Sequence, residues 1–324
     1  MVEAKRELLS IVVPAYNEHE VLAEFHKRVS RVLSGLPMDA EILYVNDGST
    51  DGTLEVLRDL QDNDDRVAIV DLSRNFGKEI ALTAGMHKVN GDAVVVIDAD
   101  LQDPPELIPE LIKEWKNGYD VVYAKRIRRL GESFLKKATA NLFYSFMQGL
   151  GRVKIPRNTG DFRLLSKRAV HAVNSLNEYH RFMKGLFTWI GYPQKAVPYQ
   201  RDPRQAGQTK WNYWGLWNLA IEGVTSFTTI PLRISTYIGL ITAICAFFYG
   251  VFIIVRTLLY GDPVAGYPSL IVIVLFLGGV QLTAIGILGE YLGRIFNETK
   301  QRPLYFINAY LPRRQGYPET PDNG

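Results

Sequence analysis

Two long stretches of the 324-residue chain contain no charged residue, and they limit its fold more than any other feature. They occupy residues 234–255 and 263–289. About 20 consecutive apolar residues suffice to cross a bilayer, so each stretch is long enough to be a membrane span. Two buried core helices are the alternative, but two Gly-rich stretches joined by a short loop are hard to place in a soluble core. The sequence therefore predicts two transmembrane helices near the C-terminus.

Basic residues flank the pair of apolar stretches and predict its orientation. They are Arg201, Arg204, Lys210 and Arg233 before the first stretch, and Arg294, Lys300, Arg302, Arg313 and Arg314 after the second. Because Lys and Arg accumulate on the cytoplasmic side of membrane spans, both termini are expected in the cytoplasm. The charged N-terminus does not resemble a signal peptide. We therefore expect a multi-pass protein of the plasma or inner membrane, with residues 260–267 as an external loop.

The first 125 residues alternate β-branched segments with segments whose apolar residues recur at helical spacing. The predicted strands are 8–13, 41–45, 67–72, 93–97 and 120–124. The predicted helices are 18–33, 53–60, 80–89 and 105–115. This alternation is typical of a parallel, doubly wound α/β sheet, in which ligands bind at the carboxyl ends of the strands.

Two amphipathic stretches separate this pattern from the apolar stretches. One covers about 135–150, and the other, around 211–224, contains three tryptophans. Tryptophan is enriched at membrane interfaces, so the second stretch is expected to lie in the interface, whereas a core helix remains an alternative for both. The predicted organisation is a cytoplasmic catalytic domain at 1–205, an interfacial helix at 206–232, two transmembrane helices within 233–296 and a cytoplasmic tail at 297–324.

Three polar segments follow directly after predicted strands. They are PAYNE at 14–18, NDGSTDGT at 46–53 and DADLQDPP at 98–105. Asp98 and Asp100 offer hard oxygen ligands for a divalent metal beside a diphosphate, and Asp47 adds a carboxylate at the same sheet edge. Capping of the next helix is the alternative for this acidic segment, and Asp103 before two prolines fits a cap. Neither a dinucleotide-binding glycine pattern nor a P-loop follows the first strand, which disfavours both classes.

These segments, together with RNFGKEIALTAG at 74–85, TGDFRLL at 159–165 and the two apolar stretches, resemble glycosyltransferase family 2. Within that family the chain is similar to the polyisoprenyl-phosphate glycosyltransferases, the group of dolichol-phosphate mannose synthase and the bactoprenol glucosyltransferases. The resemblance implies a GT-A fold that binds a nucleotide-sugar. It also implies that Mg²⁺ or Mn²⁺ binds the donor diphosphate and that a polyisoprenyl phosphate accepts the sugar.

The resemblance also implies a role for each residue at a matching position. The nucleotide-sugar pocket would comprise Pro14, Ala15, Tyr16, Glu18, Asp47, Lys78 and Asp98. The metal would be held by Asp98, Asp100 and Gln102. Asp161 matches the family's catalytic base, and Arg163 follows it on the next strand or turn. A lipid phosphate is already an anion near neutral pH, so Asp161 has an equally open alternative role in orienting the sugar or a basic residue.

The phosphate of the acceptor requires cations, and Arg offers it bidentate contacts. The candidates are Arg126, Arg128, Arg129, Arg201, Arg204 and Lys210. Arg126, which directly follows a predicted strand, is the candidate expected to act in catalysis as well. Arg204 and Lys210 lie in a glycine-containing segment before the tryptophan-rich stretch, and they complete the predicted phosphate site.

The predicted function is metal-assisted, inverting transfer of a hexose to undecaprenyl phosphate, foremost glucose from UDP-glucose, to supply a lipid-linked sugar for envelope glycans. The alternatives are a mannose synthase that uses GDP-mannose and a membrane scaffold that binds nucleotide-sugars without turnover. A processive polysaccharide synthase is disfavoured because the chain has no Q-x-x-R-W motif. Beyond the UDP-sugar donor and the acceptor, the expected partners are membrane lipid, a second copy of the chain and a flippase for the product; nucleic acid is not expected.

Overall fold

The computed structural model describes residues 6–127, 159–179, 181–200, 230–260 and 266–314. The chain divides into two compact units. The sheet unit contains the N-terminal part of the chain and the C-terminal segment Arg302–Gly324, whereas the helical unit contains Tyr213–Gln301. The amphipathic stretch at 135–150, the tryptophan-rich stretch and the cations Arg128, Arg129, Arg201, Arg204 and Lys210 lie outside the described residues.

The described residues of the sheet unit form eight strands and six α-helices. The strands are β1 (Leu8–Ala15), β2 (Asp39–Asn46), β3 (Val67–Leu72), β4 (Ala93–Val96), β5 (Val121–Arg126), β6 (Thr159–Ser166), β7 (Gln194–Tyr199) and β8 (Ile307–Leu311). The helices are α1 (Leu22–Ser34), α2 (Thr53–Asn63), α3 (Lys78–Lys88), α4 (Ile108–Lys116), α5 (Lys167–Asn174) and α6 (Met183–Trp189). A 3₁₀ turn, Pro105–Leu107, precedes α4. The five strands and four helices predicted for the first 125 residues are all present.

The eight strands form one mixed sheet in the order β7-β5-β6-β4-β1-β2-β3-β8. Strands β3, β2, β1 and β4 pair in parallel, as the sequence predicted. The complete sheet is mixed, because β6 is antiparallel to both β4 and β5, and β8 is antiparallel to β3. The parallel pattern read from the first 125 residues therefore does not extend to these two strands. Hydrophobic periodicity reveals a strand but not the direction of its partner. The segment 297–324, expected to be only a tail, contributes β8 to the edge of this sheet.

The packing of α3 against the centre of the sheet follows from a glycine in its sequence. A Cβ atom added at Gly85 would lie 2.5 Å from Val12 Cγ1 and 3.0 Å from Val45 Cγ2. Any side chain at this position would force α3 away from β1 and β2. The close approach fixes the N-terminal end of α3, which carries Lys78, near the carboxyl ends of these strands.

The helical unit contains two long helices, α7 (Ile230–Tyr260) and α8 (Tyr267–Thr299). The segments Ile234–Tyr260 and Val272–Thr299 are long and apolar enough to cross a membrane. None of the most apolar window of either helix is buried.

The loops after β2 and β3 meet at a glycine. Gly48 has a φ of +63°, a left-handed conformation that residues with a Cβ rarely adopt. A Cβ at this position would lie 2.3 Å from the carbonyl carbon of Arg74. Gly48 therefore allows the segment 46–53 to touch the segment that leads into α3.

We expect Gly48→Ala to lower the free energy of unfolding by about 2 kcal/mol or more, because backbone strain adds to a clash with main-chain atoms. Gly118→Ala is the matched control. Gly118 also has a positive φ, of +95°, but an added Cβ there would meet no atom within 4 Å. This control should lose only about 1 kcal/mol. Chemical unfolding in detergent measures both values, and equal losses would show that the contact with Arg74 contributes nothing.

Candidate active site

Hydrogen bonds join the loops that follow β1 and β2. The backbone N–H of Asn17 donates to Ser49 Oγ at 3.0 Å, and Asn17 Oδ1 accepts the N–H of Thr50 at 2.9 Å. The backbone N–H of Glu18 donates to Thr53 Oγ1 at 2.9 Å. The PAYNE and NDGSTDGT segments therefore form one continuous surface at the carboxyl ends of the two strands.

The residues predicted for the nucleotide-sugar pocket differ in their exposure on this surface. Tyr16 is 42% exposed and accessible to a ligand, Pro14 and Glu18 are half-buried, and Ala15 is buried. The carbonyl of Ala15 accepts the N–H of Asp47 at 2.9 Å, so the backbone of Ala15 helps to shape the turn after β1.

Asp47 is buried and supports the loop that leads into α3. Its Oδ1 accepts the backbone N–H of Phe76 at 2.7 Å, and its Oδ2 accepts that of Gly77 at 2.9 Å. Burial raises the pKa of Asp47, and the two N–H donors partly counteract that rise. Since α3 begins at the next residue, Asp47 fixes the position of Lys78 through the backbone.

Lys78 brings together two carboxylates from distant parts of the chain. Its Nζ lies 2.5 Å from Asp161 Oδ2 and 2.7 Å from the Asp98 carboxylate. Withdrawal from water alone would lower the pKa of Lys78, but Asp98 and Asp161 outweigh this effect and raise it. Lys78, which the family resemblance had placed near the nucleotide, therefore stays protonated between Asp98 after β4 and Asp161 on β6.

Asp161 has a second cationic neighbour that the sequence did not reveal. Its side chain is buried, and Lys184 Nζ on α6 lies 3.7 Å from its Oδ1. Burial alone would raise the pKa of Asp161, but Lys78 and Lys184 hold it well below its usual range. Asp161 is therefore an anion at neutral pH, with a lysine on each side. Lys184 belongs to none of the segments that carry the family resemblance, so no pattern indicated it.

Glu79 connects the beginning of α3 to the beginning of α6. Its Oε2 accepts the backbone N–H of Met183 at 3.2 Å, and Lys184 is the next residue. Burial and the charge of Asp161 raise the pKa of Glu79 to about 7, although Lys78 and Lys184 oppose the rise. The contact holds α6 where Lys184 can reach Asp161.

Arg163 lies on the same strand as Asp161, and its side chain is buried. It was expected on the next strand or turn, but β6 contains both residues. Its Nε donates to the carbonyl of Asp161 at 3.1 Å, and its Nη2 donates to that of Gly160 at 2.9 Å. The guanidinium carbon lies 4.2 Å from the centroid of the Phe187 ring on α6. Arg163 therefore braces the backbone that presents Asp161.

Arg126, at the end of β5, lies next to Gly160 and so one residue away from Asp161. A Cβ at Gly160 would lie 2.9 Å from Arg126 Nη2. Arg126 Nε donates to Tyr199 Oη at 3.1 Å, and Tyr199 donates to Asp103. Asp103 was expected to cap the next helix, but that turn has no side-chain cap and the carboxylate accepts a hydrogen bond from Tyr199 instead.

The predicted metal ligands lie in the loop that follows β4. Asp100 Oδ1 accepts the backbone N–H of Gln102 at 3.1 Å, and Leu101 between them has a φ of +59°. Among the described residues, no three His, Cys, Asp or Glu side chains converge on a metal site. Carboxylate and amide oxygens suit Mg²⁺ or Mn²⁺, which keeps part of its shell for water and substrate phosphates. The residues therefore fit a metal that takes its other ligands from a donor diphosphate.

Comparison with known proteins assigns this site to a family. Residues 10–173 match the family described as glycosyl transferase family 2. The chain belongs to glycosyltransferase family 2. It is 51% identical over 309 residues, 94% of the chain, to an uncharacterized glycosyltransferase of Synechocystis sp., covering 97% of that protein. It is 48% identical over 301 residues, 93% of the chain, to the bactoprenol glucosyl transferase of Shigella phage SfX, covering 99% of it.

A third relative is the prophage bactoprenol glucosyl transferase homolog of Escherichia coli, which is 48% identical over 92% of this chain and 98% of its own length. These matches confirm the resemblance inferred from the sequence motifs. They also confirm the enzyme class, a glycosyltransferase, and the mixed α/β sheet as GT-A-like.

The pKa of Glu79 predicts a pH-dependent stability. A carboxyl group whose folded pKa is raised to about 7 binds its proton more tightly in the folded state, so its contribution to stability falls as the pH rises from about 4.5 to about 7. Glu79→Gln keeps the acceptor for Met183 but cannot ionise. We expect the melting temperature of this variant, relative to wild type, to increase over that pH range.

Thermal unfolding in detergent from pH 4.5 to 8 measures this difference. The matched control is Glu55→Gln on the exposed face of α2, which makes the same substitution away from the site. A difference between Glu79→Gln and wild type that stays constant with pH would contradict the raised pKa.

Proposed function

We propose that this glycosyltransferase moves glucose from UDP-glucose to undecaprenyl phosphate and so produces a lipid-linked sugar donor for envelope glycans. The observation that carries the proposal is 48% identity over nearly the full length of two proteins, from Shigella phage SfX and Escherichia coli, whose names contain bactoprenol glucosyl transferase. The arrangement of charge supports it, because the site combines carboxylates suited to a metal–diphosphate with lysines suited to an anionic acceptor.

In this proposal the donor lies on the surface formed by the loops after β1 and β2. Tyr16 and Glu18 contact the nucleoside, Pro14 and Ala15 shape the turn, and Asp47 binds the base or holds the loop that does. Asp98, Asp100 and Gln102 would hold Mg²⁺ or Mn²⁺, and a divalent metal there would supply positive charge beside the nucleoside diphosphate. The contact with Lys78 fixes the carboxylate of Asp98 at the beginning of the loop that contains Asp100 and Gln102.

We infer that Asp161 orients cations rather than removing a proton. A general base works best when its pKa is near the working pH, whereas Lys78 and Lys184 depress the pKa of Asp161. The acceptor phosphate is already an anion, so its oxygen can attack the anomeric carbon directly. In this reaction a single displacement inverts the anomeric configuration, and Asp161 places the two lysines along the path of the attacking oxygen.

The acceptor site would be formed by cations at the same edge of the sheet. Lys184 and Arg126 flank Asp161 among the described residues, and Arg204 and Lys210 are proposed to complete the site. Helices α7 and α8 would anchor the enzyme in the membrane, with both termini in the cytoplasm. Moving the isoprenoid tail into water costs about 0.8 kcal/mol per methylene, so the catalytic unit has to meet the phosphate at the bilayer surface.

A panel of labelled nucleotide-sugars tests the proposed donor and acceptor together. Detergent-solubilised enzyme is incubated with undecaprenyl phosphate and UDP-glucose, GDP-mannose or a UDP-N-acetylhexosamine. We expect organic-extractable, acid-labile product only from UDP-glucose, with the anomeric configuration inverted. Product from GDP-mannose would replace the proposed donor, retention of configuration would exclude a single displacement, and nucleotide binding without any product would identify a scaffold.

We expect Asp100→Asn, or excess chelator, to slow transfer about a hundredfold or more while the protein stays folded, because charge on the leaving group is no longer neutralised. The matched control is Asp59→Asn on the exposed face of α2, which should retain wild-type rates. Rates and melting temperatures are measured for each protein. Undiminished transfer in excess chelator would remove the metal from the proposal.

The division between donor and acceptor residues gives a separate prediction. Charge reversal in Arg204→Glu or Lys210→Glu should raise KM for the lipid acceptor about tenfold, with much less effect on the donor, because a charge-assisted phosphate contact is lost. Asp47→Ala should raise the donor KM instead. If the two basic-residue variants impair donor and acceptor equally, their segment binds the donor diphosphate.

A further inference from the structure

Strand β8 joins the sheet through an irregular pairing with β3. Leu72 pairs with Ile307 and Asp71 pairs with Ala309, so Asn308 is an extra residue on β8. A β-bulge of this kind re-aims a side chain relative to the regular ladder. Here Asn308 Nδ2 donates a hydrogen bond to Asp71 Oδ2 at 2.8 Å.

Asp71 connects Asn308 to the end of β2 and to the loop that follows it. Its side chain is buried, and its other oxygen accepts a hydrogen bond from Asn46 Nδ2 at 2.7 Å. The side-chain oxygen of Asn46 then accepts the backbone N–H of Ser49 at 3.3 Å. Asn308, Asp71 and Asn46 therefore form a hydrogen-bonded relay, here called the Asn308 relay, from the C-terminal strand to the loop that contains Asp47.

The sequence of donors and acceptors in the relay determines which way the Asn46 amide faces. Each oxygen of Asp71 takes one amide N–H, so the nitrogen of the Asn46 amide has to face Asp71. The oxygen of that amide is then left to face Ser49. Because Asn46 and Asp71 are both buried, an amide turned the wrong way would leave polar atoms unpaired, which costs about 1–3 kcal/mol.

The residues just before β8 attach to the loop after β3 and to the end of α3. The backbone N–H of Ser73 donates to the carbonyl of Phe306 at 3.0 Å, and Tyr305 Oη lies 2.9 Å from His87 Nδ1. In the chain, this segment follows directly after α8. The polypeptide that leaves the second apolar helix is therefore bound to the sheet immediately ahead of Asn308.

We propose that Asn308 is a positioning residue for the nucleotide-sugar donor. Through Asp71 and Asn46 it fixes the loop at 46–50 in the conformation that binds the nucleoside, so the strand that follows the apolar helices completes the donor site. The inference rests on the proposed function, in which Asp47 in this loop belongs to the donor pocket. The segment 297–324, which was expected to be a tail, would then have a role in donor binding.

Exchanging the two ends of the Asn308–Asp71 hydrogen bond tests the relay. Asn308→Asp opposes two carboxylates, whereas adding Asp71→Asn to it restores one donor and one acceptor. Asp71→Asn alone keeps a hydrogen-bonded pair, because the amide of the exposed Asn308 can turn and accept an N–H through its Oδ1. We expect Asn308→Asp in the full-length protein to bind UDP about fivefold more weakly, Asp71→Asn to lose less, and the double variant to recover most of the loss of Asn308→Asp. Titration calorimetry in detergent with Mg²⁺ measures binding of UDP and GDP without requiring turnover.

Gln61→Leu is the control for a purely structural role of β8. Gln61 Nε2 donates to the carbonyls of Leu311 and Pro312, so its loss loosens the far end of β8 without touching the relay. This variant should melt at a lower temperature and bind UDP as wild type does. Wild-type affinity of Asn308→Asp, no recovery in the double variant, or equal weakening by Gln61→Leu would each overturn the relay alone. Failure of the wild-type protein to bind either nucleotide would overturn the proposed function as well.

Discussion

The contact between Lys78 and two carboxylates is the interaction on which the site depends. Asp98 follows β4 and Asp161 lies on β6, and their negative charges would repel each other without the ammonium of Lys78 between them. The cation can reach both only because α3 begins at the carboxyl edge of the sheet. One ion pair thus links the loop after β4, the strand that carries Asp161 and the beginning of α3.

Close approach of backbone segments makes that ion pair geometrically possible. Gly48 lets the loop after β2 touch the segment before α3, and Asp47 binds two N–H groups of that segment. Gly85 then lets α3 lie directly on β1 and β2. Residues that the sequence motifs suggest as ligand-binding residues therefore also hold the backbone in place. Asp47, for example, could both line the donor pocket and support the loop before α3.

Carboxylates and lysines meet at this edge of the sheet. Asp98 and Asp100 follow β4, and Lys78 and Lys184 lie on either side of Asp161. Lys184 completes this arrangement from α6 and is held in place by the contact between Glu79 and Met183. In the proposed function, these two lysines are the cations that an anionic lipid phosphate would meet.

The sequence by itself determined the strands and helices of the first 125 residues, the two apolar helices and the polar segments that contain Asp47, Asp98 and Asp161, because periodicity and motif spacing are local properties. Only the tertiary structure decided the antiparallel placement of β6 and β8, the lysines beside Asp161 and the contact of Asn308 with Asp71. Those features join residues that are distant in the chain, and pairing partners across a sheet depend on strand direction and register. No local pattern of side chains specifies either one.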